Sequence, residues 1–320
     1  MKIALAQIAP VLLDLKATLT KVSTFVQNAA QQGAQLVVFG EAILPGYPFW
    51  VELTDGARFN SEVQKQFYAE YVQQAVCIEA GDLEPLCEVA REQKIHVVVG
   101  VIERPTDRGG HSLYCALVYI DDRGVIRNVH RKLMPTYEER LVWSPGDGHG
   151  LRTFRVDEFT IGALNCWENW MPLPRAALYS LGENLHIALW PGNVRNTEIL
   201  TRFLAREGRS YVVSISGLMR RSDLPAALLH RNQILENMPD VVADGGSCVA
   251  QPDGTWLLEP VVGKEGLWVV ELDHDQVLRE RQNFDPSGHY SRPDVTQLRV
   301  RRARQRTVWF DDQNENPIEA

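Results

Sequence analysis

Two kinds of apolar pattern alternate along the chain: short, nearly unbroken apolar runs, and longer stretches in which apolar residues recur every three or four positions. The first marks strands buried on both faces, the second helices that bury one side. A strand is predicted over 2–8 and a helix over 14–32, where Leu15, Leu19, Val22, Phe25, Val26 and Ala29 share a face and Gly33 follows. Residues 34–39 and 96–102 read as further buried strands, separated by helical spacing over 61–76 and 83–92. Residues 112–120 and 125–130 flank Asp121-Asp-Arg-Gly124 as a hairpin.

The pattern repeats in the second half. An apolar run over 161–165 leads into Cys166, a short helix covers 173–181, a strand 185–190, a helix 195–207 and a strand 211–215. A second hairpin joins 246–251 to 255–258 through Pro252-Asp-Gly254, then come a strand over 267–272 and a helix over 274–281. Strands alternating with helices, plus two hairpins and no dividing linker, predict one α/β domain of mixed sheets covered by helices. It extends over 1–295, and 296–320 is a polar tail with the basic run Arg299 to Arg304, either solvated or docked on a neighbouring subunit.

Composition narrows the class. With 45% hydrophobic and 23% charged residues in 320, the chain is that of a globular protein with a large core. A net charge of −8 gives no reason to expect nucleic acid or an anionic membrane as partner. The five cysteines are scattered without a C-x-x-C pair, which argues against a disulfide framework or structural zinc and for a reducing cytoplasm. The N-terminus reads as a first strand rather than a secretory signal, and no run reaches the length of a membrane span.

Three predicted strands or hairpins end in a residue able to do chemistry: Glu41 in Gly40-Glu41-Ala-Ile-Leu-Pro45, Lys132 after the first hairpin, and Cys166 before a polar turn. Strand ends are where α/β proteins assemble sites. Taken singly, each has a plainer explanation: a cap or salt-bridge partner, a solvated lysine, a thiol that fills a core. Taken together they form a chemical set. A thiol attacking an electrophilic carbon needs a base, a carboxylate in a dry pocket can serve, and an ammonium stabilises the charge that develops. Glu139, seven residues past Lys132 in a long loop, is placed to orient it or relay protons. A histidine partner for the thiol is not singled out by any local context, and His186 within its apolar run reads as a core or supporting residue.

These segments resemble the nitrilase superfamily, and within it the true nitrilase branch. Gly40-Glu41-Ala-Ile-Leu-Pro-Gly-Tyr-Pro is similar to its glutamate motif, Arg131-Lys132-Leu-Met-Pro-Thr-Tyr-Glu-Glu139-Arg-Leu-Val-Trp143 to its lysine motif, and Asn165-Cys166-Trp167-Glu168-Asn-Trp-Met-Pro172 to its nucleophile motif. Agreement extends through Gly182 to Pro191, Arg206 to Val213 and Phe284 to Asp294. Trp167-Glu168 is the pair nitrilases carry where aliphatic amidases tend to have Tyr-Asp. Trp143-Ser-Pro-Gly-Asp-Gly departs from the commoner Trp-Gly-x-Gly-Asp-Gly, and the C-terminal extension is short for the long spirals many nitrilases form.

The resemblance implies a four-layer α-β-β-α sandwich whose subunits pair across helices into a homodimer or higher oligomer. It implies Cys166 as nucleophile, Glu41 as general base, Lys132 as stabiliser of the tetrahedral intermediates and Glu139 as fourth member, with no metal or organic cofactor. The activity implied is hydrolysis of a small organic nitrile to carboxylic acid and ammonia through a thioimidate and a thioester. An amidase or carbamoylase using the same residues is the alternative, and a non-catalytic interaction protein a third. Tyr47, Trp50, Trp167, Trp170 and Pro191 are candidate walls of an apolar substrate pocket, though the aromatics could equally fill the core or a subunit interface.

Overall fold

In the computed structural model, which describes residues 1–308, the first half of the chain lays down five of the six strands of one sheet and four α-helices. The elements are β1 (Lys2–Gln7), α1 (Leu15–Gln31), β2 (Leu36–Phe39), α2 (Trp50–Leu53), α3 (Glu62–Gln74), α4 (Glu84–Gln93), β3 (His96–Glu103), β4 (Tyr114–Ile120) and β5 (Ile126–Arg131). The second half gives β6 (Phe154–Val156), β7 (Phe159–Asn165), α5 (Pro172–Tyr179), β8 (Leu185–Trp190), α6 (Val194–Gly208), β9 (Tyr211–Ser216), β10 (Leu218–Arg220), α7 (Arg231–Asn237), β11 (Val241–Ala250), β12 (Trp256–Val262), β13 (Gly266–Glu271) and α8 (His274–Arg281).

The first sheet runs β13-β1-β2-β3-β4-β5, with β1, β2 and β3 parallel and the outer strands antiparallel. The second runs β10-β11-β9-β8-β7-β6, with β7, β8 and β9 parallel and β12 paired to β11. Alternation along the strands decides what each layer touches. In β1, Ile3 and Leu5 face the second sheet and meet Ile187, Leu189, Val213 and Ile215, whereas Ala4 and Ala6 face outward beneath Val22 and Val26 of α1. On the far side Leu200 and Leu204 of α6 cover Ala188 and Val212. Helix, sheet, sheet, helix is the resulting order of layers, as the sequence resemblance implies.

Helix α1 begins where the side chain of Asp14 accepts the N–H of Ala17 at 2.8 Å, satisfying an otherwise orphaned donor. Four elements went unread in the sequence. Helix α2, four residues long, starts at Trp50 just after Pro48; Thr54 caps its end and Trp50 has a core to fill. Strands β6 and β10 are three residues each, too short to show a period, and α7 is a seven-residue helix. The described tail residues dock on their own chain: Arg304 and the N–H of Gln305 bind the carboxylate of Asp147, and Arg304 reaches the carbonyl of Val129. Residues 309–320, the remainder of the predicted tail, lie outside the described residues.

Candidate active site

The two sheets meet at the ends of β2 and β8, where the N–H of Glu41 donates to the carbonyl of Trp190 at 3.1 Å. Close backbone approach makes this crossing possible: a Cβ on Gly40 would lie 2.8 Å from the nitrogen of Gly217, and one on Gly100 only 2.3 Å from the oxygen of Gly40. Glu41 leaves β2 at this crossing, Lys132 follows the last residue of β5, and Cys166 follows the last residue of β7. All four expected chemical residues therefore converge. The sulfur of Cys166 and one carboxylate oxygen each of Glu41 and Glu139 lie within 4.8 Å of one another, and all three residues are buried.

Between the carboxylates lies Lys132, itself buried. Its ammonium contacts Glu41 Oε1 at 2.8 Å and Glu139 Oε2 at 2.7 Å, and sits 5.5 Å from the centre of the Trp143 ring. This trio of Cys166, Glu41 and Glu139 is the one cluster with metal-ligand geometry among the described residues. The cation its two carboxylates hold is the lysine's own. Glu139 is held by two further donors: Oε2 also accepts the N–H of Thr136 at 2.6 Å and Oε1 the hydroxyl of Tyr47 at 2.9 Å. A carboxylate so tied is an anchor for Lys132 rather than a mobile proton carrier.

Charge balance sets the protonation chemistry. Burial pushes Glu41 up to about 7, since the Lys132 ammonium opposes the shift only in part and the charge of Glu139 adds to it. Burial also pushes the Cys166 thiol well above its ordinary value, against the pull of Lys132. Lys132 stays firmly charged: burial works to lower it, but Cys166, Glu41 and Glu139 together hold it well above the usual lysine range. The resting site is thus a thiol beside a carboxylate, not a preformed thiolate.

Cys166 is the first residue of a 3-10 turn, Cys166–Trp170, and has φ of 45°. That left-handed conformation is costly for a residue with a Cβ, and it is held by neighbours on both sides. Glu168, two residues on, accepts the N–H of Asn165 at 2.9 Å and of Leu133 at 2.7 Å and contacts His130 Nε2 at 3.1 Å. Burial alone would raise Glu168, but His130 and these amides hold it below the usual carboxylate range. Asn169 donates to the Cys166 carbonyl at 2.8 Å and accepts from His186 Nε2 at 2.7 Å, and His186 Nδ1 faces Glu183 Oε1 at 2.7 Å. Next to Lys132, Arg131 is clamped by both oxygens of Glu103 at 2.7 and 2.9 Å.

The aromatic candidates separate. Tyr47 reaches the centre through Glu139, and burial pushes its phenol well above its ordinary value. Trp50 is buried, stacked on Phe67 at 5.1 Å and edge-on to Tyr71, in an apolar cluster that also holds Ala42 and Trp143. Trp167 and Trp170 are 52% and 51% exposed on the turn behind the thiol. Pro191 follows Trp190 at the sheet crossing and is half-buried. Sequence reasoning passed over Cys115, Glu168, Asn169, Glu103 and Glu183. Glu168 was visible as part of a motif, but nothing local could show that its carboxylate spans two loops.

Fold and site together define an α-β-β-α sandwich that buries a thiol, a lysine and two carboxylates where its two sheets meet. The carbon-nitrogen hydrolase family model matches residues 2–281, and the chain belongs to that family of enzymes, which hydrolyse carbon–nitrogen bonds other than peptide bonds. It is 36% identical to an aliphatic nitrilase of Sinorhizobium fredii over 93% of this chain and 94% of that one. It is 34% identical to nitrilase 2 of Arabidopsis thaliana over 96% of this chain and 90% of that one. A bifunctional nitrilase/nitrile hydratase of Nicotiana tabacum is 34% identical over 92% of this chain and 84% of its own. Among solved structures, an amidase from Nesterenkonia sp. AN1 covers 88% of this chain and 97% of its own with a TM-score of 0.63 at 20% identity, a likeness of fold.

Proposed function

We propose that the protein is a nitrilase, hydrolysing an organic nitrile to the carboxylic acid and ammonia within a catalytic domain of residues 1–295. The observation that carries this is the buried set of Cys166 sulfur, Glu41 and Glu139 within 4.8 Å around the Lys132 ammonium, on a chain about a third identical to nitrilases along nearly its whole length. Because the thiol is held protonated, Glu41 takes its proton as the sulfur adds to the nitrile carbon, and returns it to the nitrogen, giving a thioimidate. Lys132 lies where negative charge grows on that nitrogen. Glu41 then deprotonates a water, which adds to the same carbon. Expulsion of ammonia leaves a thioester, and a second water, activated the same way, releases the acid and restores the thiol.

Had the tetrahedral adduct expelled sulfur instead of ammonia, amide would leave, so a minor amide product is expected. Tyr47, hydrogen-bonded to Glu139, Trp167 and Trp170, on the turn that carries Cys166, and Pro191, beside the sheet crossing, are the residues to vary for substrate preference. The exposed apolar residues Trp167, Trp170, Leu173, Ile199 and Phe203 on the turn, α5 and α6 support pairing of two copies across this face. Five unpaired cysteines support a cytoplasmic location, and among the described residues no helix is long and apolar enough to cross a membrane.

The test is product analysis on matched nitriles and amides of the same acyl group. Nitrile consumption with acid and ammonia released, lost in Cys166→Ala, is the expected result. Amide hydrolysis without nitrile consumption would replace the reading by an amidase, and full turnover by Cys166→Ala would end it.

A further inference from the structure

Glu41 shares its carboxylate with a second thiol. Cys115, on β4, is wholly buried, and its thiol donates to Glu41 Oε1 at 3.4 Å. The same oxygen receives the Lys132 ammonium at 2.8 Å, whereas Glu41 Oε2, equally buried, has no partner among the described residues. Cys115 also holds the lysine by its main chain, its carbonyl accepting the N–H of Lys132 at 2.8 Å. We propose that Cys115 is a positioning residue: its thiol, with the Lys132 ammonium, occupies Oε1 of Glu41 and leaves Oε2 as the single oxygen through which that residue moves protons. The inference rests on Glu41 being the base of the proposed reaction.

A carboxyl group turns about a soft, two-fold torsion, so its oxygens would ordinarily exchange roles. Two donors on one oxygen remove that freedom and make it the poorer base. The reaction asks Glu41 to collect a proton from sulfur, deliver it to nitrogen, and collect again from water. A fixed, undonated oxygen serves every transfer from one place. A thiol suits this task because it is a weak donor. It orients the carboxylate yet draws down its basicity only slightly against the burial that raises Glu41 to about 7. Burial and the charge of Glu41 keep Cys115 itself protonated, so it neither stops donating nor competes as nucleophile. The other groups that bear on Glu41 are Lys132, Glu139 and Cys166, whose roles are set above, and the phenols of Tyr47 and Tyr71, which burial keeps neutral.

Cys115 also belongs to an apolar cluster with Ile102 and Leu113, so simple core filling is the competing explanation. The two differ in what replaces the thiol best. Cys115→Val keeps the volume, lacks the donor and bars water; Cys115→Ser keeps a donor. With a nitrile that the wild type consumes, Cys115→Val is expected to move the acid limb of kcat/KM upward by about half a unit to one unit, because the lost hydrogen bond favoured the ionised carboxylate. Its kcat should fall roughly tenfold with KM little changed, and Cys115→Ser should restore both. A Cys115→Val profile that overlays the wild type, or equal damage from Val and Ser, overturns the proposal. An infrared measurement decides it without turnover, whether or not Cys115→Val folds. The S–H band of wild type that Cys115→Ser removes should sit at the frequency of a hydrogen-bonded thiol and move as Glu41 titrates. A band at the free-thiol position that ignores pH overturns the proposal too. Failure of the nitrilase reading would show separately, as a wild type that leaves nitriles intact.

Discussion

The carboxylate of Glu168 accepts the backbone N–H of Leu133 at 2.7 Å, tying the turn that carries Cys166 to the loop that carries Lys132. Cys166 and Lys132, the proposed nucleophile and charge stabiliser, thus come from different sheets but are held by one side chain. Glu168→Gln keeps the shape and removes the charge that His130 and two amides were arranged to meet. We expect it to cost about 2–3 kcal/mol at neutral pH and to lower kcat by more than its effect on KM. Glu168 is held below its ordinary value in the fold, so its contribution is present above that ordinary value and lost as pH falls through the folded one. Denaturant melts at neutral and acid pH should therefore show the wild-type advantage shrinking on acidification.

Glu41 has the opposite sign. Its folded value is raised from 4.5 to about 7, so the folded state binds the proton more tightly and stability declines as pH rises through that interval. Glu41→Gln should be inactive yet more stable than wild type at pH 8, by up to roughly 3 kcal/mol. Equal melting temperatures at that pH would count against the burial argument. In the wild type, kcat/KM should rise through an apparent pKa near 7.

Lys132 neutralises two buried carboxylates at 2.8 and 2.7 Å, and no other cation reaches Glu41 or Glu139 among the described residues. Lys132→Gln should lower kcat by roughly a hundredfold to a thousandfold and destabilise the protein by about 3–5 kcal/mol, the cost of leaving a buried charge without its partner. That loss should ease at low pH, where Glu41 binds a proton. Thermal melts from pH 5 to 8 measure it.

Asn169 is the link between the Cys166 carbonyl and the His186–Glu183 pair. Asn169→Ala leaves buried groups unpaired on both sides, for an expected loss of about 1–3 kcal/mol. Its functional signature should be reduced kcat, since the turn that sets the sulfur is loosened while the substrate's walls remain. A variant with unchanged kcat and raised KM would contradict this.

What could be read from the sequence was what is periodic or local. The buried runs over 36–39 and 185–190 and the helical face of Leu19, Val22 and Val26 named their own elements and layers. Glu41, Lys132 and Cys166 were legible because each follows an element within a recognisable motif, and Glu139 because it belongs to the motif of Lys132. Cys115 was not, because inside an apolar strand a thiol aimed at a carboxylate looks the same as one that fills space. The contacts of Glu103 with Arg131 and of Glu183 with His186 depend on packing between segments that carry no common period. Trp50 was a candidate on proximity to Glu41 in sequence alone, which could not show that α2 buries its ring against Phe67 and Tyr71.

The bond from Glu41 to Trp190 has a kinetic corollary. It joins strands of separate sheets, far apart in sequence, and contacts of that kind form late because the intervening chain must first be ordered. Each sheet can acquire its strands without it, but Glu41 and Cys166, the proposed base and nucleophile, meet only once it has closed. On refolding from denaturant, the circular dichroism of helices and strands should recover first. Turnover should follow in a slower phase, so that the regain of catalysis clocks the docking of one sheet upon the other.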